Sequence, residues 1–301
     1  DTAEGGCPPI RITGGQQLMG IHYDLPMASA QVKSCVMLAG LYAQGHTSVT
    51  EPAPTRDHTE RMLKGFGYQV ERTQDTCAIV GQGQLTATDI DVPSDISSAT
   101  FFLVAAAICP DSDLIIEHVG MNPTRIGVVN ILRLMGADLT IQNEREVGGE
   151  PVADLAIKYA PLKGIHVPEE QVPLAIDEFP ALMIAAACAS GTTTITGAEE
   201  LRVKESDRIQ AMVDGLSAMG VDIKGTADGA IIEGMGVDAQ FAPAQITTHH
   251  DHRIAMAFSI AGLRAGANLK ILDCAHVATS FPNFVELART VGITLDEEFQ
   301  S

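Results

Sequence analysis

Apolar residues fall along the chain in two alternating textures. Runs such as VKSCVMLAG (32–40), ATFFLVAAAI (99–108), FPALMIAAACASG (179–191) and IAMAFSIAG (254–262) carry small or apolar side chains on every helical face. They predict helices buried all round rather than amphipathic surface helices. Each run is followed by a short β-rich stretch: HTSVTE (46–51), DLIIEHV (113–119), TTTITG (192–197) and NLKILD (268–273). A polar loop then leads to a second helical pattern, in HTERMLKGFG (58–67), IGVVNILRLMG (126–136), RIQAMVDGLSAMG (208–220) and NFVELARTVG (283–292). This second helix ends each time at a glycine, Gly67, Gly136, Gly220 or Gly292, the residue type that best accepts the left-handed position just past a helix. Another β-type run follows, as in Ala137–Thr140 and Val221–Ile223, and extra hairpin strands are expected in stretches such as DGAIIEGMG (228–236).

The chain therefore repeats helix, strand, helix, strand with a period of about 70–80 residues. The fold class is α/β (α+β), with buried helices stacked side by side beneath sheets. A boundary is expected near Pro93-Ser94-Asp95, giving a first domain over 1–94 and a second, of three copies, over 95–301.

Composition narrows the function. The 19 basic and 38 acidic residues give a net charge of −19, a field that repels nucleic acid and anionic membranes, so neither is expected as a partner. Aromatic residues make up 4% of the chain and tryptophan is absent, leaving little material for stacking platforms. No apolar stretch has the roughly 18–20 residues that a membrane-spanning helix needs. Six cysteines are scattered without a C-x-x-C pair, and several, including Cys35 and Cys188, lie in apolar runs. Buried free thiols in a reducing cytoplasm are the expectation. No cluster argues for a metal or an organic cofactor. The opening Asp-Thr-Ala-Glu-Gly-Gly has no initiator Met and no clear first element, and reads as a protein entered in its middle.

Candidate chemistry gathers where the buried helices begin. Backbone N–H groups are unpaired there and the helix dipole is positive, which suits anions. Ser29, Asp177 and Asp251 are all good N-caps, and capping alone accounts for each of them. Four constellations ask for more. In Leu201-Arg202-Val203-Lys204-Glu205-Ser206-Asp207-Arg208, Lys204 and Arg208 are four residues apart and would share a helix face, with Ser206 as a possible cap. Asp251-His252-Arg253 puts three ionisable groups directly before a buried helix, where charges need partners. Asp177-Glu178 opens another such helix. In Thr55-Arg56-Asp57-His58-Thr59-Glu60-Arg61 a capping box of Asp57 and Glu60 leaves Arg56 for a ligand.

Together, SAQ (29–31), TRDHTERML (55–63), MNPTR (121–125), DEFP (177–180), LRVKESDR (201–208), DHRIAMAF (251–258) and TSFPNF (279–284) resemble the signatures of the EPSP synthases, in order, from about residue 7 to the C-terminus. The resemblance implies a two-domain fold of repeated βαβαββ units around buried parallel helices, with four of six units present. It also implies transfer of an enolpyruvyl group from phosphoenolpyruvate to the 5-hydroxyl of shikimate 3-phosphate, with no cofactor and with these two small molecules as partners. Asp177 matches the substrate-contacting aspartate, expected as the base, and Glu205 the proton donor. Ser29, Ala30, Gln31, Arg56, Asp177 and Lys204 match the shikimate 3-phosphate contacts. Gln31, Arg208 and Arg253 match those to phosphoenolpyruvate, with Asp251 and His252 expected to orient and neutralise that arginine. Thr279 stands where some members carry a lysine, as in the more diverged bacterial branch. The resemblance also leads one to expect a further N-terminal segment or a fusion domain. Weaker alternatives are a related transferase acting on UDP-N-acetylglucosamine, an inactive fragment or binding half-site, and a non-enzymatic repeat protein.

Overall fold

In the computed structural model the structure describes residues 1–298. The chain divides into two compact units, Asp1–Asp91 with Val147–Glu150, and Val92–Glu146 with Pro151 onward.

The first unit holds strands β1 (His22–Asp24), β2 (His46–Thr50), β3 (Glu71–Arg72) and β4 (Thr76–Val80), in sheet order β1-β2-β4-β3. β1 and β2 run parallel, while β4 is antiparallel to both β2 and β3. Helix α1 (Ala30–Gly40) crosses between the parallel pair, and α2 (His58–Gly65) leads to the hairpin. Leu25, Met37, Val49, Leu63, Tyr68, Cys77 and Ile79 form its core.

Three further copies follow in the second unit. Helix α3 (Ile96–Ile108), strand β5 (Asp113–Gly120), helix α4 (Gly127–Leu134) and the hairpin β6 (Asp138–Val147) and β7 (Glu150–Lys158) form one, with sheet order β5-β7-β6. Helix α5 (Phe179–Ala187), β8 (Ser190–Ile195), α6 (Arg208–Ala218), β9 (Asp222–Gly225) and β10 (Ala230–Met235) form the next, with order β8-β10-β9. The last has β11 (Gln245–Thr247) and β12 (Lys270–Leu272) in parallel around α7 (His252–Ala261), then α8 (Val277–Ser280) and α9 (Phe284–Thr290). Parallel bridges Ser94–Val119 and Lys163–Ser190 supply the strand position before α3 and α5 that β11 supplies before α7. The period seen in the sequence is thus a crossover unit followed by a helix and, in three copies of four among the described residues, a hairpin.

All nine residues of α5 are buried, as are twelve of the thirteen in α3, and both pack against α7. Their Ala-rich sequence lets the three helices approach one another and leaves no polar face to turn outward. The glycines ending α2, α4, α6 and α9 take φ of +76°, +92°, +87° and +88°, as a left-handed terminator requires. Helix α1 departs from expectation. It buries only Lys33, Met37 and Gly40, because it packs on one sheet and its other face carries Gln31, Val32, Cys35 and Leu38 outward. Cys35 is therefore exposed, whereas Cys77 and Cys188 are buried and burial pushes their thiols up to about 11 and about 12. Among the described residues no helix is long and apolar enough to cross a membrane.

Candidate functional site

In the second unit the starts of α5, α6 and α7 bring together residues that lie far apart in sequence. Asp251 is the N-cap of α7, and its Oδ1 accepts from the backbone N–H groups of Arg253 at 2.9 Å and Ile254 at 3.4 Å. Its Oδ2 accepts from Arg208 Nε at 2.8 Å and from the Ser206 hydroxyl at 3.0 Å. Burial alone would raise the Asp251 pKa, but the Arg208 hydrogen bond and charge, with the Arg253 amide and Ser206, outweigh it and hold the group below the usual carboxylate range.

Arg208, the first residue of α6, has a side chain only 1% exposed. Its Nη1 donates to Asp177 Oδ1 at 3.3 Å and its Nη2 donates to Glu205 Oε2, so three carboxylates surround one guanidinium. Lys204 Nζ lies 3.6 Å from Asp177 Oδ1 and also pairs with Glu200. Lys204 and Arg208 do not share a helix face. Asp207, not Ser206, caps α6 by accepting from the Gln210 amide, which starts the helix at Arg208 and leaves Lys204 in extended backbone.

Asp177 is not a cap either. It sits in a 3-10 turn, Ile176–Glu178, and Glu178 takes the N-cap position of α5 with Pro180 in the first turn. Arg253 is held differently from expectation. Its Nη1 donates to the Asp177 carbonyl at 3.1 Å and lies 3.7 Å from Glu178 Oε1, while the Asp251 carboxylate is committed to Arg208. Beside it, burial and then the Arg253 charge lower the His252 imidazole pKa. No acceptor among the described residues meets Arg253 Nε or Nη2, and the side chain is 17% exposed. The guanidinium is therefore anchored at one nitrogen and open along one edge, the geometry that takes a carboxylate or phosphate through two parallel hydrogen bonds.

In the first unit, Ser29 caps α1 by accepting from the Val32 amide at 3.3 Å. Ala30 and Gln31 form the first helical turn, with Gln31 exposed. Arg56 is half-buried in the loop before α2. Asp57 makes no capping bond; it accepts from Arg61 Nε at 2.9 Å, and Glu60 turns inward instead. That inward turn completes a cluster absent from the sequence reading. Lys33, fully buried, lies 2.9 Å from Glu51 and 2.8 Å from Glu60, and Arg72 reaches the same two carboxylates at 3.1 and 2.9 Å. A lysine inside an otherwise apolar helical run was the available signal, because a buried ammonium requires carboxylate partners. Thr279 donates to the His276 carbonyl at 2.6 Å, a local turn contact.

A family profile described as EPSP synthase (3-phosphoshikimate 1-carboxyvinyltransferase) matches residues 1–287. The 3-phosphoshikimate 1-carboxyvinyltransferase of Methylococcus capsulatus is 63% identical over 296 residues, covering 98% of this chain and 67% of that protein. Its counterpart from Hydrogenovibrio crunogenus is 62% identical over 300 residues, again covering 98% and 67%. A solved EPSP synthase from Acinetobacter baumannii superimposes with a TM-score of 0.91 at 62% identity, over 97% of this chain and 67% of that one. The chain thus spans about two thirds of the length of these relatives. Likeness in sequence and in fold extends over nearly all of its residues, and the chain belongs to the EPSP synthase family.

Proposed function

We propose that these residues carry the transfer of the enolpyruvyl group from phosphoenolpyruvate to the 5-hydroxyl of shikimate 3-phosphate, releasing phosphate. The hydroxyl oxygen adds to C2 of phosphoenolpyruvate as its proton leaves to a base and C3 gains a proton from an acid. The tetrahedral adduct then loses phosphate from C2 and a proton from C3, which restores the double bond. Such a path needs one base, one acid and cations for two phosphates and two carboxylates.

The open edge of the Arg253 guanidinium is the observation that carries this reading, because it presents a prepaid bidentate site for the phosphoenolpyruvate carboxylate. Asp177 serves as the base; its Oδ1 is oriented by Arg208 and Lys204, while its backbone carbonyl fixes Arg253. Glu205, on the solvent side of Arg208, serves as the proton donor. Lys204 and Arg208 supply cations for substrate anions. Ser29, Ala30, Gln31 and Arg56 take shikimate 3-phosphate through helix-start amides, an exposed amide side chain and a guanidinium. Gln31 also serves phosphoenolpyruvate.

Phosphate release in the presence of both substrates, measured on the full polypeptide that carries these residues, tests the assignment. Asp177→Asn and Arg253→Ala should each reduce kcat/KM by about 10²-fold or more, the usual scale for a general base or a preorganised cation. Turnover near the unmodified rate in either variant would overturn it.

A further inference from the structure

Glu178 is the buried titratable group that the proposed chemistry leaves unused. It is 3% exposed and stands at the N-cap position of α5 without capping it. The Ser97 hydroxyl, in the first turn of α3, donates to Glu178 Oε1. Ser97 Oγ in turn accepts from Arg125 Nη2 at 2.6 Å, and that same nitrogen lies 2.9 Å from Oδ1 of Asp95, the N-cap of α3. On the other side Glu178 Oε1 faces Arg253 Nη1 at 3.7 Å. Asp95, Arg125, Ser97, Glu178 and Arg253 thus form one line of alternating polarity across the starts of α3, α5 and α7.

We infer that Glu178 is a positioning residue for Arg253, holding the guanidinium so that its open edge faces the phosphoenolpyruvate carboxylate; this rests on the function proposed above. Three observations support it. A buried carboxylate is costly and persists only where partners hold it, and every partner here leads toward or away from Arg253. The Asp177 carbonyl accepts from the same Nη1 at 3.1 Å, so a hydrogen bond and an ion pair from adjacent residues of one turn hold a single nitrogen, and no acceptor among the described residues meets Nε or Nη2. The line also accounts for Arg125 in MNPTR, which touches none of the residues assigned to substrate but sets the Ser97 hydroxyl that bonds Glu178.

Titration follows from the surroundings. Burial raises the Glu178 pKa, and the nearby Asp177 adds to the rise; the Ser97 hydrogen bond and the Arg253 and Arg125 charges offset part of it. These groups are what faces Glu178 from its own turn, from α3, from the loop before α4 and from α7. Phosphoenolpyruvate affinity should therefore improve as Glu178 ionises, and a Glu178→Gln variant should lose that limb of the pH profile.

The test compares Glu178→Gln with the unmodified polypeptide by steady-state kinetics and by crystallography. The expected result is a rise of about tenfold in KM for phosphoenolpyruvate, with KM for shikimate 3-phosphate within about twofold and Arg253 Nη1 displaced from the Asp177 carbonyl. An equal rise in both KM values would reduce Glu178 to a general folding role and overturn the inference, as would an unmoved Arg253. If the unmodified polypeptide turned over neither substrate, the functional proposal would fail, and the position of Arg253 in the Glu178→Gln crystal would still decide the positioning role. Glu178→Asp, which keeps the charge on a shorter arm, should recover part of the pH limb and little of the KM.

Discussion

Asp251 performs two jobs that substitution can separate. Its Oδ1 caps α7 and its Oδ2 pairs with Arg208 and Ser206, with Asp251 and Arg208 both fully buried. Asparagine is as good an N-cap as aspartate, so Asp251→Asn keeps the Oδ1 contacts while turning an NH2 toward two donors. Breaking one side of a buried ion pair costs about 3–5 kcal/mol. Asp177 and Glu205 stay on Arg208 and spread its charge, which puts the expected loss near the lower end, about 3 kcal/mol. Asp251→Ala also forfeits the cap, adding about 1 kcal/mol. Urea unfolding at pH 7, read as a shift in midpoint at unchanged slope, measures both. The pH dependence adds a second reading. Because the folded-state pKa of Asp251 is depressed, its contribution is complete above the ordinary carboxylate value and is lost as pH falls through the folded value. The Asn variant should therefore show a flatter acid limb. An Asp251→Asn midpoint within about 0.5 kcal/mol of the unmodified chain would refute the reasoning.

Two other sites give equally direct expectations. Lys33→Met should cost about 3 kcal/mol in urea unfolding, since it leaves Arg72 as the one cation pairing Glu51 and Glu60 among the described residues, with the Thr55 hydroxyl on Glu51; converting both glutamates to glutamine in the same chain should recover most of that loss. Gly215→Ala should destabilise by about 2 kcal/mol despite the better helix propensity of alanine, because the new Cβ would lie 2.1 Å from Cζ of the fully buried Phe258. In a Phe258→Leu background the same change should become neutral or favourable in thermal unfolding.

Local patterns along the chain carried the repeat, and long-range charge pairing did not follow from them. Each terminating glycine was legible because one residue type meets a steric requirement that depends only on its own φ. The buried character of α3 and α5 was legible because a helix without a polar face has no way to sit at a surface. Partner choice inside a charged segment is a different problem. Arg208 lies 43 residues from Asp251 and 31 from Asp177, and nothing in LRVKESDR distinguishes these from the nearer Asp207, which instead accepts from Arg202. The mistaken helix face of Lys204 has the same origin, since Ser206 and Asp207 both cap well and the competition is settled by Asp251 recruiting the Ser206 hydroxyl. For α1, the surrounding sheet rather than the helix's own sequence decides how much of it is covered.

A chain of net charge −19 opposes any anion at long range, but salt screens such a field beyond about 8 Å, so the first layer of side chains decides. Within that layer Arg208 is already saturated by Asp251, Asp177 and Glu205. Of these three carboxylates, Asp251 is fully buried, the Asp177 side chain is 14% exposed and the Glu205 side chain 50%. The most exposed approach to Arg208 for an incoming anion is therefore the Nη2 corner that Glu205 occupies. On the proposed roles, seating phosphoenolpyruvate and releasing Glu205 from its cation become one event, so the proton donor is set free only with the substrate in place. A half-exposed pair three residues apart contributes about 0.3–1 kcal/mol, so Glu205→Gln should tighten phosphoenolpyruvate binding by about two- to fivefold while cutting turnover by about 10²-fold. Calorimetric titration of phosphoenolpyruvate in the presence of shikimate 3-phosphate measures the first effect and phosphate release the second. Weaker binding in Glu205→Gln would mean that Glu205 assists the anion rather than competing with it, and the displacement reading would be wrong.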